Sequence, residues 1–171
     1  MKKILAAAAF LTAALAPVAL HAASTPEIKR IKGDAKSPIL SGVILPAQTA
    51  TLYLSGQVPA VADASKPATS VDAYGDTKTQ ALSVFKKIEG LLQAQGLGLG
   101  DVVKLTVFLV GDAKLDGKLD FKGFSEAYAQ FFGTAGQPNL VARSTVQVAA
   151  LANPGFLVEV EAIAAFPAKA K

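Results

Sequence analysis

The stretch Val102-Val-Lys-Leu-Thr-Val-Phe-Leu-Val110 decides the fold. Its β-branched and aromatic residues predict a strand, apolar at nearly every position. A strand that is apolar on both sides needs cover on both faces. Downstream, Phe121–Phe132 carries Phe121, Phe124, Tyr128 and Phe131 on one helical face. Upstream, Asp76–Gln95 repeats Ala81, Phe85, Ile88 and Leu92 at helical spacing. Thr77-x-x-Gln80 has the form of a capping box, and Gly96 that of a C-terminal stop. Gly96-Leu-Gly-Leu-Gly100 follows a helix and lacks a Lys-Ser/Thr pair, so it reads as a turn and not as a phosphate loop.

Further out, Ile39–Leu45 and Thr51–Leu54 are β-like runs around Pro46-Ala-Gln, which predicts a hairpin. Residues 60–75 read as loop. Leu140–Ala150 and Phe156–Ala165 are strands flanking the turn signal Asn153-Pro-Gly155. The order β-β-α-β-α-β-β predicts one α+β domain over residues 38–167, with two helices on one face of the sheet. No helix remains to cover the second face of 102–110. That face is therefore expected to be buried against other copies of the chain in a closed homo-oligomer.

The N-terminus reads as a secretory leader. Lys2 and Lys3 precede an apolar run from Ile4 to Leu20, and small residues follow. Cleavage is expected near Ala22, giving a periplasmic or secreted protein with no stable membrane association; an uncleaved anchor is the alternative. Residues 23–37 mix Lys29, Arg30, Lys32 and Lys36 with Glu27 and Asp34, and read as a solvated arm.

Composition narrows the chemistry. Lys and Arg number 17 against 13 Asp and Glu, a net +4; without Lys2 and Lys3 it is +2 (17 less 2, against 13). With no basic stripe and no interleaved aromatics, a nucleic-acid partner is not expected. Cysteine is absent, and the single histidine, His21, lies in the leader. Ser-His-Asp and Cys-His catalysis, thiolate metal sites and imidazole metal sites are thereby excluded from the mature chain. No metal and no cofactor is expected.

One strand is odd. Leu140–Ala150 alternates so that Arg143, Thr145 and Gln147 share a face. In Phe156–Ala165, Glu159 and Glu161 share one. If the two strands pair as a hairpin with polar sides together, these five residues form one stripe. The stripe is either an ordinary solvated face or, in a subunit crevice, a carboxylate receptor. In the second case Arg143 supplies a planar fork and Glu159 a base for water.

The chain resembles the Rid (YjgF-type) family of imine/enamine deaminases over roughly Pro38 to Ala165. The resemblance rests on Ser55-Gly-Gln-Val-Pro59, Gly100-Asp-Val-Val-Lys-Leu-Thr-Val-Phe108, Tyr128-x-x-Phe131-Phe132, Ala142-Arg-Ser-Thr-Val-Gln-Val148 and Glu159-Val-Glu-Ala-Ile-Ala164. It implies a chorismate-mutase-like (ferredoxin-like) α+β fold and a homotrimer with a site at each interface. It implies that Arg143 grips a substrate carboxylate, that Thr145 lends backbone groups to the imine, and that Glu159 orients water. Ser55 and Gly56 would wall the site, and Ser125 would occupy a position often held by Asn. The implied substrates are 2-imino acids and enamines such as 2-aminoacrylate. The chain departs from the family at Ser37-Pro38-Ile39, where Ile39 stands in place of a site-closing tyrosine. A non-catalytic carboxylate-binding or holdase-like exported trimer is therefore the alternative.

Overall fold

The computed structural model describes residues 27–167. The leader assigned to residues 1–22 lies outside them. The elements are β1 (Lys29–Lys32), β2 (Leu40–Ile44), β3 (Thr51–Gln57), α1 (Thr77–Gln93), β4 (Val102–Val110), α2 (Phe121–Tyr128), β5 (Ala142–Val148) and β6 (Val158–Ala165). They make one α+β domain whose six strands run in the order β1-β2-β5-β4-β6-β3.

The strand read first, β4, lies between β5, its parallel neighbour, and β6, its antiparallel one. Because β6 is antiparallel to both β3 and β4, β3 and β4 run the same way. The chain therefore makes two crossovers in one direction across the sheet, β3-α1-β4 and β4-α2-β5. The right-handed rule then puts both helices on the same face. Against that face pack Leu105, Val107 and Leu109 of β4 and Val158, Val160 and Ala162 of β6. Val84, Phe85, Ile88 and Leu92 of α1 meet them from above, with Phe124, Ala127 and Tyr128 of α2. Phe85 is the hub, its ring centroid 5.2 Å from Phe131 and 5.7 Å from Phe132. Burying side chains of this size contributes about 1.5–3 kcal/mol each.

Neither expected hairpin pairs its two strands. The turn at Pro46 forms, with the Thr49 amide donating to the Pro46 carbonyl, but β2 joins β1 and β5 while β3 joins β6 at the opposite edge. Likewise β5 and β6 do not touch, because β4 lies between them. Alternation along a strand reveals its faces, not its neighbours.

Two smaller readings also change. The helix cap is Asp76, whose carboxylate accepts from the Thr79 amide at 2.8 Å. Gln80 is fully buried and ties α1 to the turn before β6. Its Nε2 donates to the Gly155 carbonyl at 3.0 Å, and its Oε1 accepts from the Leu157 amide at 2.7 Å. The residues read as a solvated arm include a strand. Lys29–Lys32 pairs with β2, and Arg30 donates to the carbonyls of Gly100 (2.7 Å), Leu140 (2.7 Å) and Val102 (3.0 Å). Burial pushes the Arg30 pKa down, and Asp101 partly restores it.

Among the described residues, the opposite face of the sheet carries no helix. On it lie Lys104, Thr106, Phe108 and Val110 of β4, in register with Ser144 and Val146 of β5 and with Ile163, Glu161 and Glu159 of β6. Tyr53 of β3, opposite Ile163, is 71% exposed there.

Candidate functional site

The register settles where the odd arginine points. Arg143, Thr145 and Gln147 pair with Leu105, Val107 and Leu109. They therefore share the helix-covered face, toward α2. Helical spacing puts Phe121, Phe124, Ser125 and Tyr128 on one stripe of α2. Three of these surround the guanidinium. Its Cζ lies 4.4 Å from the Tyr128 ring centroid, 5.3 Å from Phe124 and 5.8 Å from Phe121. Cation–π attraction steadies the cation where water is scarce. Burial pushes the Arg143 pKa down, and Tyr128 partly offsets this. The Tyr128 phenol, held by a 3.1 Å bond to the Pro38 carbonyl, is pushed up by its own burial.

The aromatic rings leave hydrogen-bonding capacity unused. Among the described residues, Arg143 Nη1, Thr145 Oγ1 and Ser125 Oγ are all buried without a partner. An unpaired buried donor costs about 1–3 kcal/mol, more for a charged one. Three such atoms, on β5 and on the helix that covers it, are donors with capacity left for an acceptor. Beyond Ala142, moreover, β5 has no strand partner on its outer side among the described residues, since β2 joins it only through Leu40.

The acidic half lies elsewhere. Glu159 pairs with Phe108, an odd number of residues from Leu105, and so belongs to the open face. The expected single stripe of Arg143, Thr145, Gln147, Glu159 and Glu161 is thus split across the two faces of the sheet. The reason is the interposed β4, which sets the register of each strand separately. The Glu159 carboxylate lies directly over Gly56, in the space a side chain would occupy. The β3–β6 register breaks between Leu54 and Gln57, at Ser55 and Gly56. Ser55 lines an open-face pocket of about 240 Å³ with Tyr53, Lys104, Thr106 and Glu161. Lys104 Nζ donates to Ser144 Oγ there, at 2.8 Å.

The candidate residues therefore form two groups. Arg143 and Thr145 lie under α2, which carries Ser125, and Ser55, Gly56 and Glu159 lie on the open face. The aromatic walls Phe121, Phe124 and Tyr128 look like ordinary core in sequence. Only the strand register brings them to the arginine. Ile39 is half-buried and packs on the core. Among the described residues no cluster of acidic or histidine side chains could hold a metal, and no helix is long and apolar enough to cross a membrane.

Residues 41–166 match the family model described as Endoribonuclease L-PSP. The human 2-iminobutanoate/2-iminopropanoate deaminase is 33% identical over 142 residues, covering 80% of this chain and 90% of that one. TdcF of Escherichia coli is 35% identical over 138 residues, covering 81% of this chain and 93% of that one. The crystal structure of E. coli TdcF with bound serine superposes with a TM-score of 0.53 at 30% identity, over 83% of this chain and 99% of that one. The Rid-family protein YyfB of Yersinia pestis, 23% identical, shares the fold with a TM-score of 0.60 over 81% and 98%.

Proposed function

This chain belongs to the Endoribonuclease L-PSP family, also called Rid or YjgF-type, and from that premise we propose that it hydrolyses small 2-imino acids and their enamine tautomers. The observation that carries the reading is the buried, unpartnered Nη1 of Arg143, set among three aromatic rings beside Thr145 and Ser125. A guanidinium with a free donor, steadied in a low-dielectric site, is a carboxylate anchor.

The chemistry then needs little else. Arg143 holds the carboxylate of a substrate such as 2-aminoacrylate, whose imine tautomer presents an electrophilic carbon. Thr145 and the outer edge of β5 orient the imine. Water held by Glu159 adds to that carbon, and the glutamate takes its proton. The carboxyl returns that proton to the nitrogen, giving a carbinolamine, and transfer of the hydroxyl proton to its amine releases ammonia and leaves the 2-keto acid. No redox partner or electron carrier enters the balance.

Since Arg143 and Glu159 lie on opposite faces of one sheet, the two meet only across an interface. A homotrimer in which one copy's open face abuts its neighbour's arginine side completes the site and covers Tyr53 and Val146. The leader read in residues 1–22 puts the protein in the periplasm or outside the cell; mass spectrometry of the mature N-terminus tests this. Ile39, apolar and packed on the core, favours a second reading in which the trimer binds carboxylates or acts as a holdase without turnover.

The test generates a 2-imino acid in situ and follows keto-acid release with wild type and Arg143→Ala. Faster release with wild type, abolished in the variant, is expected. Release no faster than a protein-free blank ends the deaminase reading, and carboxylate binding unaffected by the variant ends the anchor.

A further inference from the structure

Phe121 stands apart from the other two rings around Arg143. Phe124 and Tyr128 are buried, whereas Phe121 is 50% exposed. It begins α2, and its ring centroid lies 5.8 Å from the guanidinium carbon. A large apolar ring half open to solvent beside an anion anchor offers surface to whatever the anion carries.

Its position is fixed from the arginine strand itself. Residues 111–120 run from the end of β4 to α2, closed by a bridge between Asp112 and Lys118. Gln147, on the same face of β5 as Arg143, fastens this loop twice. Its Oε1 accepts from the Leu119 amide at 3.0 Å, and its Nε2 donates to the Gly117 carbonyl at 2.9 Å. Gly111 lies so close to the Gly117 carbonyl that any side chain there would collide with it. Asp120 then caps α2, its carboxylate accepting from the Gly123 amide at 2.8 Å. The anchor and the exposed ring thus belong to one tied unit.

We propose that Phe121 is the side-chain wall of the site and selects 2-imino acids with aromatic or branched apolar side chains over the smallest ones, and that Gln147 is the residue that positions it. This rests on the deaminase reading for its reaction, but not for its ligand. With the carboxylate on Arg143 Nη1, the substituent on the neighbouring carbon lies within reach of the Phe121 ring. A methyl group or vinylic CH2 would touch little of that surface, and a benzyl or isobutyl group would cover it. A difference of several apolar carbons in one pocket is worth about tenfold or more in kcat/KM.

The experiment compares 2-imino acids released in situ from phenylalanine, leucine and alanine by an amino-acid oxidase, following keto-acid formation with wild type, Phe121→Ala and Gln147→Ala. The expected result is a kcat/KM at least about tenfold higher for the phenylalanine- and leucine-derived imines. Phe121→Ala should erase most of that ratio, and Gln147→Ala should lower it through KM. Equal use of large and small imines by wild type overturns the proposal while leaving the deaminase reading intact. So does a ratio that Phe121→Ala leaves in place. If no imine is accelerated, the deaminase reading fails and binding decides. Phenylpyruvate held about tenfold more tightly than pyruvate, in a Phe121-dependent way, supports the wall; equal affinities overturn it.

Discussion

Two half-buried arginines have opposite fates in this chain. Arg30 reaches from the edge strand β1 and donates to three backbone carbonyls, at 2.7, 2.7 and 3.0 Å. Arg143 is caged by aromatic rings, and its Nη1 has no acceptor among the described residues. Burial lowers the pKa of both. Burial and charge alone therefore do not separate a latch from a receptor; the distinguishing property is whether the donors are used. A satisfied buried cation holds structure together, while an unsatisfied one is held in readiness and costs stability until a ligand arrives.

The largest expected effect tests the receptor. Arg143→Ala should lower kcat/KM for imine hydrolysis by about 10²–10³-fold, the loss of a desolvated charge-assisted contact. Its melting temperature should not fall, because the alanine removes an unpaired buried charge. A strongly destabilised variant would place Arg143 with Arg30 as a latch. Next, Arg30→Ala should cost about 3 kcal/mol, since three carbonyls lose their donor. Thermal unfolding should show a drop of roughly 10 °C, with the turnover of the folded fraction retained. Loss of turnover without loss of stability would erase the contrast between the two.

A third test uses the acid on the far face. Glu159→Gln should lower kcat by about 10–100-fold with little change in stability. Co-refolding it with Arg143→Ala in equal amounts should restore roughly a quarter of wild-type activity, because mixed trimers pair an intact arginine with an intact glutamate. No restoration would mean that both residues act within one chain. The smallest effect is expected at Gly56. An added methyl meets only the mobile end of Glu159, so Gly56→Ala should displace the carboxylate, reducing kcat less than about tenfold and barely moving the melting temperature.

Much of the fold was legible because helices and the central strand are local facts. β4 runs Val102–Val110 as read, and α1 starts one residue after the expected Asp76. The cap was misassigned because Thr77 offers the same pattern as its neighbour Asp76; the chain uses the carboxylate, and Gln80 goes to a contact about 75 residues away. Strand neighbours were not legible, because alternation is identical whichever strand lies alongside. That is why Arg143 and Glu159 were read as one stripe, and why nothing set Phe121 apart from the other aromatics on its helical face. β1 was hidden by its composition, for Lys29-Arg-Ile-Lys32 has the charge of a solvated arm.

The placement of β4 also bears on how the chain is made. Both of its ladder partners, β5 and β6, come later in the sequence, and the second is complete only at Ala165. A nascent chain that has delivered its first hundred and fifty residues still lacks one flank of its own central strand, so the sheet closes late and through distant contacts. Until Val158–Ala165 emerges, the helices have only part of a platform to settle on. Truncation from Val158 onward, which removes all eight residues of β6, should therefore leave a chain that stays open to proteases, however complete its other elements are.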